Sequence, residues 1–176
     1  FSLTNIKRIK SMIWADFLAA YSNRNVVQWS IWWAAATCGY LQAMNYIQPL
    51  WQSVVEDGDA SIYNGAMDCI STFLGALSAF SVSYLSVDWN NTGELVLACV
   101  SLIQAVVLTV MGFTNSIVVT YIGYVIFRVL YEFIITIAGY QVAKSLKSDS
   151  YGLVFGINMF MSLVIQTVVT IIVIDV

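Results

Sequence analysis

The chain has 176 residues, of which 60% are hydrophobic and only 10% are charged. A soluble domain usually has about a quarter of its residues charged, so this composition excludes an ordinary soluble fold. The net charge of −3 argues against a nucleic-acid partner, and the absence of His together with three Cys in no paired spacing argues against a metal or cofactor site.

Residues 1–25 precede the apolar part of the chain and are predicted to form a cytoplasmic linker. Ile6, Ile9, Ile13 and Phe17 recur at helical spacing, with three basic residues beside them. This pattern is typical of a short basic amphipathic helix on the inner face of a membrane. A plain polar linker is the alternative interpretation of the same residues.

Residues 26–176 contain five apolar stretches, each long enough to cross a bilayer, which takes about 20 helical residues. Helices are required because the hydrocarbon core offers no water to unpaired backbone groups. The stretches are also too long and too uniformly apolar for the strands of a barrel. We therefore predict five transmembrane helices in an all-α fold, over residues 26–50, 62–87, 95–113, 117–143 and 151–174.

The charges between the stretches predict the orientation of the chain. Six of the seven basic residues lie before the first stretch or after the fourth, namely Lys7, Arg8, Lys10, Arg24, Lys144 and Lys147. The connection after the first stretch carries Glu56, Asp57 and Asp59 and no base. We therefore expect the N-terminus on the cytoplasmic side and Val176 near the outer side. The glycosylation sequon at Asn90 then falls on a cytoplasmic turn and is expected to stay unmodified.

Polar residues on the first two predicted spans indicate a cavity wall. Gln42, Asn45 and Gln48 recur every three residues beside Pro49, which favours a helix that faces a polar cavity and bends near its end. Hydrogen bonds between helices are the alternative use of these amides. On the second span, Asp68 has no basic residue in its own span, and an ionisable group at membrane depth marks a function. It is expected to bind a cation, accept a proton or pair with a helix beyond this chain.

The fourth and fifth spans add further polar groups. Arg128 and Glu132 are four residues apart, so they share a helix face and are able to pair with each other. Alternatively, one of them contacts a charged substrate or moves between partners during transport. On the fifth span, Asn158, Ser162 and Gln166 form a second polar stripe. The two stripes and the carboxylate of the second span are predicted to line a central aqueous cavity.

Small residues indicate where membrane helices pack closely. Residues of this kind recur every four positions on two spans, at Ser71, Gly75, Ala79 and Ser83 and at Gly152 and Gly156. Such stripes are typical of packing seams between membrane helices.

Four blocks of sequence, in the same order, resemble the reduced folate carrier family, solute carrier family 19, whose members transport folate or thiamine. The blocks are WSIWWAAATCGYLQAMNYIQPLW (29–51), SIYNGAMDCISTFLGA (61–76), FRVLYEFIITIAGYQVA (127–143) and LVFGINMFMSLVIQTVVTIIVID (153–175). The resemblance implies a major facilitator superfamily-type bundle of twelve helices in two halves, located in the plasma membrane. The five spans would be helices 7 to 11, and the chain, which starts at Phe1 rather than Met, would be a segment of a longer protein. Such carriers bind substrate near the midplane between their halves.

The resemblance also bears on the substrate. Folate carries carboxylates and favours basic residues, whereas thiamine is a cation and favours carboxylates, amides and aromatic faces. Gln166 stands where folate carriers have lysine and thiamine carriers have glutamine. Asn45 matches an asparagine of the thiamine carriers, where the mammalian folate carrier has tyrosine. Asp68 matches a glutamate of the thiamine carriers and an aspartate of the folate carrier, Arg128 is basic in both branches, and Glu132 departs from both patterns.

We therefore predict a vitamin transporter that works by alternating access, with thiamine as its substrate. A reduced folate transporter is the alternative, and a receptor or channel on the same scaffold is the second. The expected partners are the vitamin, the lipid bilayer and the other half of the same chain. No catalytic constellation is present, so we expect no enzyme. The candidate substrate-binding residues are Asn45, Asp68, Arg128, Gln166, Gln42 and Glu132.

Overall fold

Six helices form the regular structure in this computed structural model, which describes residues 3–55, 63–85, 87–146 and 150–174. They are α1 (Leu3–Tyr21), α2 (Arg24–Val54), α3 (Asn64–Val82), α4 (Trp89–Phe113), α5 (Ile117–Lys144) and α6 (Tyr151–Ile174). No strand occurs in these described ranges. The predicted all-helical class is confirmed.

Four segments in the described part of the chain are long and apolar enough to cross a membrane: Asn64–Val82, Asn91–Phe113, Ile117–Lys144 and Tyr151–Val173. Large apolar side chains point outwards from them, as Phe73 and Phe160 do with 63% and 64% of their surface exposed, which suits a surface that faces lipid. Helix α2 is longer, with 31 residues, but its amides lower its mean hydropathy. Four of the five predicted spans therefore meet this criterion, and the crossing of α2 remains a prediction.

Short polar turns set where two of the helices begin. The Oδ1 atom of Asn23 accepts a hydrogen bond from the Asn25 N–H at 3.0 Å, which caps the start of α2. Ahead of α4, the Asp88 carbonyl accepts from the Thr92 N–H at 3.1 Å, and the Asp88 carboxylate accepts from the Asn91 side chain at 2.7 Å. The Asn23 side chain and the Asp88 carbonyl thus each accept from a backbone N–H in the first turn of a helix, and the bond between the Asp88 and Asn91 side chains holds the turn before α4.

The predicted orientation depends in part on charges outside the described residues. Glu56, Asp57, Asp59 and Lys147 fall in the stretches that the structure does not describe. Asn90 lies in the first turn of α4, and Lys144 is the last residue of α5. The sidedness of the chain therefore remains a prediction.

The first compact unit comprises residues 1–39 and 138–176. Its core is formed by one buried residue from each of four helices, α1, α2, α5 and α6, namely Ala20, Val26, Val142 and Val154. The C-terminal turn of α1 thus packs against α2, α5 and α6. The predicted seam at Gly152 and Gly156 is not seen, because both residues are exposed and an added Cβ would meet nothing within 4 Å.

A buried polar network joins three helices of this unit. The Tyr21 hydroxyl donates to Oδ1 of Asn158 at 3.0 Å, and Nδ2 of Asn158 donates to Oγ of Ser30 at 3.1 Å. Burial raises the pKa of the Tyr21 phenol, and its hydrogen bond with Ser30 opposes that rise, so Tyr21 stays a donor at neutral pH. Asn158 and Ser162 are only 3% and 0% exposed. The prediction that they line an aqueous cavity is therefore wrong: Asn158 holds the helices together.

The Tyr21–Asn158 bond predicts a local effect of Tyr21→Phe. Loss of the hydroxyl leaves a buried amide oxygen without its partner, at a cost of about 1 kcal/mol, so amide hydrogen exchange in α1 is expected to quicken about fivefold. Hydrogen exchange followed by mass spectrometry measures this. Tyr140→Phe is the control, since that ring lies in the same unit and is 51% exposed. Equal exchange in the two variants would remove the bond as an anchor of α1.

The second compact unit comprises residues 40–137. It contains the rest of α2, all of α3 and α4, and most of α5. One buried cluster is formed by side chains from α2, α4 and α5, which are Ile47, Trp51, Met111 and Tyr124. A second cluster joins α3, α4 and α5 through Val82, Trp89 and Ile137.

Helix α3 packs closely on α5 at the first predicted seam. Ser71 and Gly75 are buried, and a Cβ atom added at Gly75 would lie 2.8 Å from Cγ of Glu132. One turn further on, the Ser78 hydroxyl donates to the Val129 carbonyl at 3.1 Å. The seam is therefore confirmed at Ser71 and Gly75, and the lack of a side chain at Gly75 lets the two helices approach.

Candidate functional site

An ion pair joins α3 to α5. The Nη1 atom of Arg128 lies 3.4 Å from Oδ1 of Asp68, with the two side chains 16% and 49% exposed. Asp68 precedes Gly75 by seven residues, two helical turns, so both lie on the face of α3 that meets α5. The close approach at Gly75 thus brings the carboxylate within reach of the guanidinium.

Tyr124 bridges the two charged groups. Its hydroxyl donates to Oδ1 of Asp68 and accepts from Nη1 of Arg128 at 3.2 Å. The same Nη1 also donates to Oγ of Ser71 at 3.4 Å. Among the described residues both partners of the carboxylate reach Oδ1, so Oδ2 has no protein partner there. The half-exposed carboxylate is therefore held in place and still has an acceptor oxygen to offer a ligand.

The guanidinium of Arg128 is only partly satisfied. Its Nε atom is buried and has no hydrogen-bond partner in the described part of the chain. A buried donor of this kind costs free energy, so the pair with Asp68 is not an optimal structural salt bridge.

Aromatic rings stack beside the ion pair. The ring of Tyr40, on α2, lies 3.9 Å from that of Tyr131 at an interplanar angle of 7°, and 6.3 Å from that of Phe127 at 11°. Phe127 and Tyr131 are the residues one before and three after Arg128 on α5. The site thus combines a carboxylate, a guanidinium and flat aromatic faces.

A chain of polar side chains ties α2, α3 and α5 together. The Tyr121 hydroxyl donates to Oδ1 of Asn64 at 2.8 Å, and Nδ2 of Asn64 donates to Oε1 of Gln48 at 2.8 Å. Gln48 therefore uses its amide between helices, which was the alternative interpretation of the first polar stripe. The Trp51 ring packs edge-on against Tyr121 and Tyr124, with centroids 4.9 and 5.0 Å apart.

The structure changes the predicted pairing of the charged residues. Arg128 and Glu132 were expected to be able to pair along α5, but the guanidinium contacts Asp68 instead, and the side chain of Glu132 packs against Gly75. The expectation that Asp68 pairs with a helix beyond this chain is also wrong, because its basic partner is on α5.

No contact in the described part of the chain joins Asn45 or Gln166 to this pair. Asn45 is exposed and Gln42 is half-buried, and both lie on α2 within residues 40–137. Gln166 is half-buried on α6, in the unit of residues 1–39 and 138–176. Their roles in substrate binding remain predictions.

Two tyrosines of the site were missed by sequence reasoning. Tyr124 stands four residues before Arg128, and this spacing, which places both on one face of α5, was a usable signal. Tyr40 carried no comparable signal, because its stacking depends on how α2 lies against α5.

Four apolar helices in the described part of the chain are long enough to cross a membrane, and two of them, α3 and α5, are joined by an ion pair that a tyrosine bridges. These features define an integral membrane protein with a polar site between its helices. The family model for the reduced folate carrier matches residues 2–176. The chain belongs to the reduced folate carrier family.

Relatives in this family bear the names of vitamin transporters. The chain is 45% identical to thiamine transporter 1 of Mus musculus over 168 residues, which cover 96% of this chain and 34% of that protein. It is 49% identical to thiamine transporter 2 of Mus musculus over 160 residues, or 91% and 33% of the two chains. Folate transporter 1 of Caenorhabditis elegans is 37% identical over 153 residues, or 87% and 34%. The chain thus spans about a third of the length of the relatives it matches.

Proposed function

We propose that the chain is part of a transporter that carries a vitamin across the plasma membrane by alternating access, and that the vitamin is thiamine. The observation that carries this proposal is the Asp68 carboxylate, which is half-exposed and fixed by Tyr124 and Arg128, and whose Oδ2 atom has no protein partner among the described residues. A carboxylate presented in this way within a membrane protein is suited to bind a cation.

The charge around the site favours thiamine over folate. Asp68 and Glu132 bring two negative charges to the α3–α5 contact, and Arg128 brings one positive charge. A net negative site attracts the thiamine cation and repels the carboxylates of folate. The relatives are named as transporters of one vitamin or the other. The sequence identities to the two thiamine transporters, 45% and 49%, are higher than the 37% identity to the folate transporter.

The aromatic stack supports the same choice. Tyr40 stacks on Phe127 and Tyr131, which are only 5% and 8% exposed, whereas Tyr40 itself is half-buried. In this proposal the remaining surface of the Tyr40 ring packs against the aminopyrimidine ring and stabilises the cation. The thiamine cation binds at Oδ2 of Asp68, while Tyr124 and Arg128 hold the carboxylate through Oδ1.

Competitive uptake of radiolabelled thiamine and folate by the full-length protein, measured across pH, tests the proposal. Saturable thiamine uptake that folate inhibits weakly is the expected result. Preferred folate uptake would support the reduced folate carrier instead. Binding without net flux would indicate a receptor, and conductance without saturation would indicate a channel.

Gln166→Lys is expected to weaken thiamine uptake about tenfold if Gln166 faces the substrate, because the new ammonium group would repel the thiamine cation. Folate uptake is expected to rise or stay unchanged. Gln166→Met is the matched control, since it removes the amide without adding charge. Uptake of both vitamins equal to that of the unchanged protein would place Gln166 outside the cavity.

We further propose that the basic ends of the spans face the cytoplasm. The supporting observation is the sequence distribution of charge, with basic residues before α2 and acidic residues after it. Enzymatic deglycosylation of the full-length protein, read as a gel shift in a variant that keeps only the Asn90 sequon, tests the sidedness. A glycan at Asn90 would reverse the proposed topology.

A further inference from the structure

We propose that α1 is a membrane-surface helix whose face bearing Ile13 and Trp14 binds the anionic lipid leaflet. The inference is independent of which vitamin is carried. It rests on where α1 is anchored, on what it exposes and on its charge.

The C-terminal turn of α1 is anchored where neighbouring helices enter the predicted membrane. Ala20 packs with Val26 near the start of α2 and with Val154 in the first turn of α6. Tyr21 is hydrogen-bonded to Asn158 one turn deeper along α6. The membrane-length segment of α6 begins at residue 151. The anchored end of α1 therefore lies at the level of the membrane boundary.

An apolar face runs along α1 from that anchor. Phe17 follows Ile13 by four residues and Trp14 by three, and Tyr21 follows Phe17 by four, so these side chains share one face. The Trp14 ring stacks on Phe17 with centroids 5.3 Å apart, and Phe17 contacts Tyr21 at 4.8 Å. Toward the N-terminus this face has no cover in the described residues: Ile13 is 48% exposed and Trp14 is 61% exposed. A tryptophan so placed is typical of the membrane–water interface.

The charge of this segment selects anionic lipid as the occupant of the face. Residues 1–25 contain four basic residues and one acidic residue, a net charge of +3, whereas the whole chain has −3. Arg8 and Lys10 are exposed on α1, close to the exposed apolar residues. Basic residues beside an apolar helix face bind anionic headgroups while the apolar side chains enter the acyl boundary. A partner protein of acidic surface would satisfy the charge, but the anchor at membrane level favours the lipid.

A pair of adjacent positions on α1 tests the proposal in the full-length protein. Trp14→Cys and Ala15→Cys, each in a background without native cysteines, are labelled with an environment-sensitive nitrobenzoxadiazole dye. Both residues are exposed in the structure. Trp14 lies on the apolar face, whereas the side chain of Ala15 is turned away from that face by about 100°. The protein is placed in nanodiscs of phosphatidylcholine alone or with phosphatidylserine, and quenching by spin-labelled lipid and by aqueous iodide is measured.

We expect lipid quenching at position 14 to exceed that at position 15 about threefold, with the opposite order for iodide, and the difference to grow with phosphatidylserine. Ile13→Cys is a second position on the apolar face, for the case in which labelling at 14 disturbs the fold, and it is expected to behave like 14. Equal lipid quenching at 14 and 15, or a difference independent of phosphatidylserine, would overturn the proposal. Protection of position 14 from both quenchers would also overturn it, because protein rather than lipid would then cover the face.

Discussion

Asp68→Asn is expected to lower thiamine uptake by the full-length protein at least about tenfold, the effect of losing one hydrogen-bonded charge in a partly desolvated site. The amide keeps the size of the side chain but removes the negative charge that would bind a cation. It also leaves Arg128, whose Nε atom already has no partner in the described ranges, without its counter-ion Asp68. Uptake of radiolabelled thiamine at matched surface expression measures the effect.

Two variants serve as controls for this result. Glu94→Gln makes the same change of charge at an exposed position on α4 and is expected to leave uptake unchanged. Asp68→Glu keeps the charge and is expected to retain most of the uptake. Normal uptake in Asp68→Asn would show that this carboxylate does not bind the substrate.

Gly75→Ala is expected to destabilise the protein by about 1–3 kcal/mol, the usual cost of forcing extra atoms into a packed interior. The new methyl group would lie 2.8 Å from Cγ of Glu132, so α3 and α5 would have to separate or Glu132 would have to move. Because the contact is two turns from Asp68 on the same face, thiamine uptake is expected to fall as well. Thermal unfolding of the purified protein and uptake in cells measure the two effects.

Gly65→Ala provides a matched control on the same helix. Nothing lies within 4 Å of a Cβ atom added at Gly65. Both substitutions gain helix propensity, so the difference between them isolates the contact with Glu132. Equal melting temperatures for the two variants would contradict a close seam at Gly75.

The helices were largely predictable because hydropathy and length are local properties of the sequence. The end of the fourth predicted span differs from α5 by one residue, and the fifth span coincides with α6. The limit of local reasoning appears at α2, where amides and aromatic residues give a long helix of modest hydropathy. The family was also visible in the sequence, because several blocks in fixed order carry it.

Partners across helices were much less predictable. Sequence spacing favoured Glu132 as the partner of Arg128, because residues four apart on a helix are neighbours. Spacing also predicted that Asn158 lines a cavity, whereas its side chain is buried and hydrogen-bonded to Tyr21 and Ser30. In both cases the local geometry permitted several partners, and the sequence contained no information on which helix lies alongside.

The amino-acid sequence by itself thus determined that this is a helical membrane protein of the reduced folate carrier family, and it identified Asp68 and Arg128 as costly charges at membrane depth. Only the tertiary structure decided that these two charges pair with each other, through Tyr124. The physical reason is that a salt bridge needs its charged atoms within about 4 Å of each other, and only the packing of the helices decides that distance. The distance between α3 and α5 is set by the contact at Gly75, two helical turns away from the carboxylate.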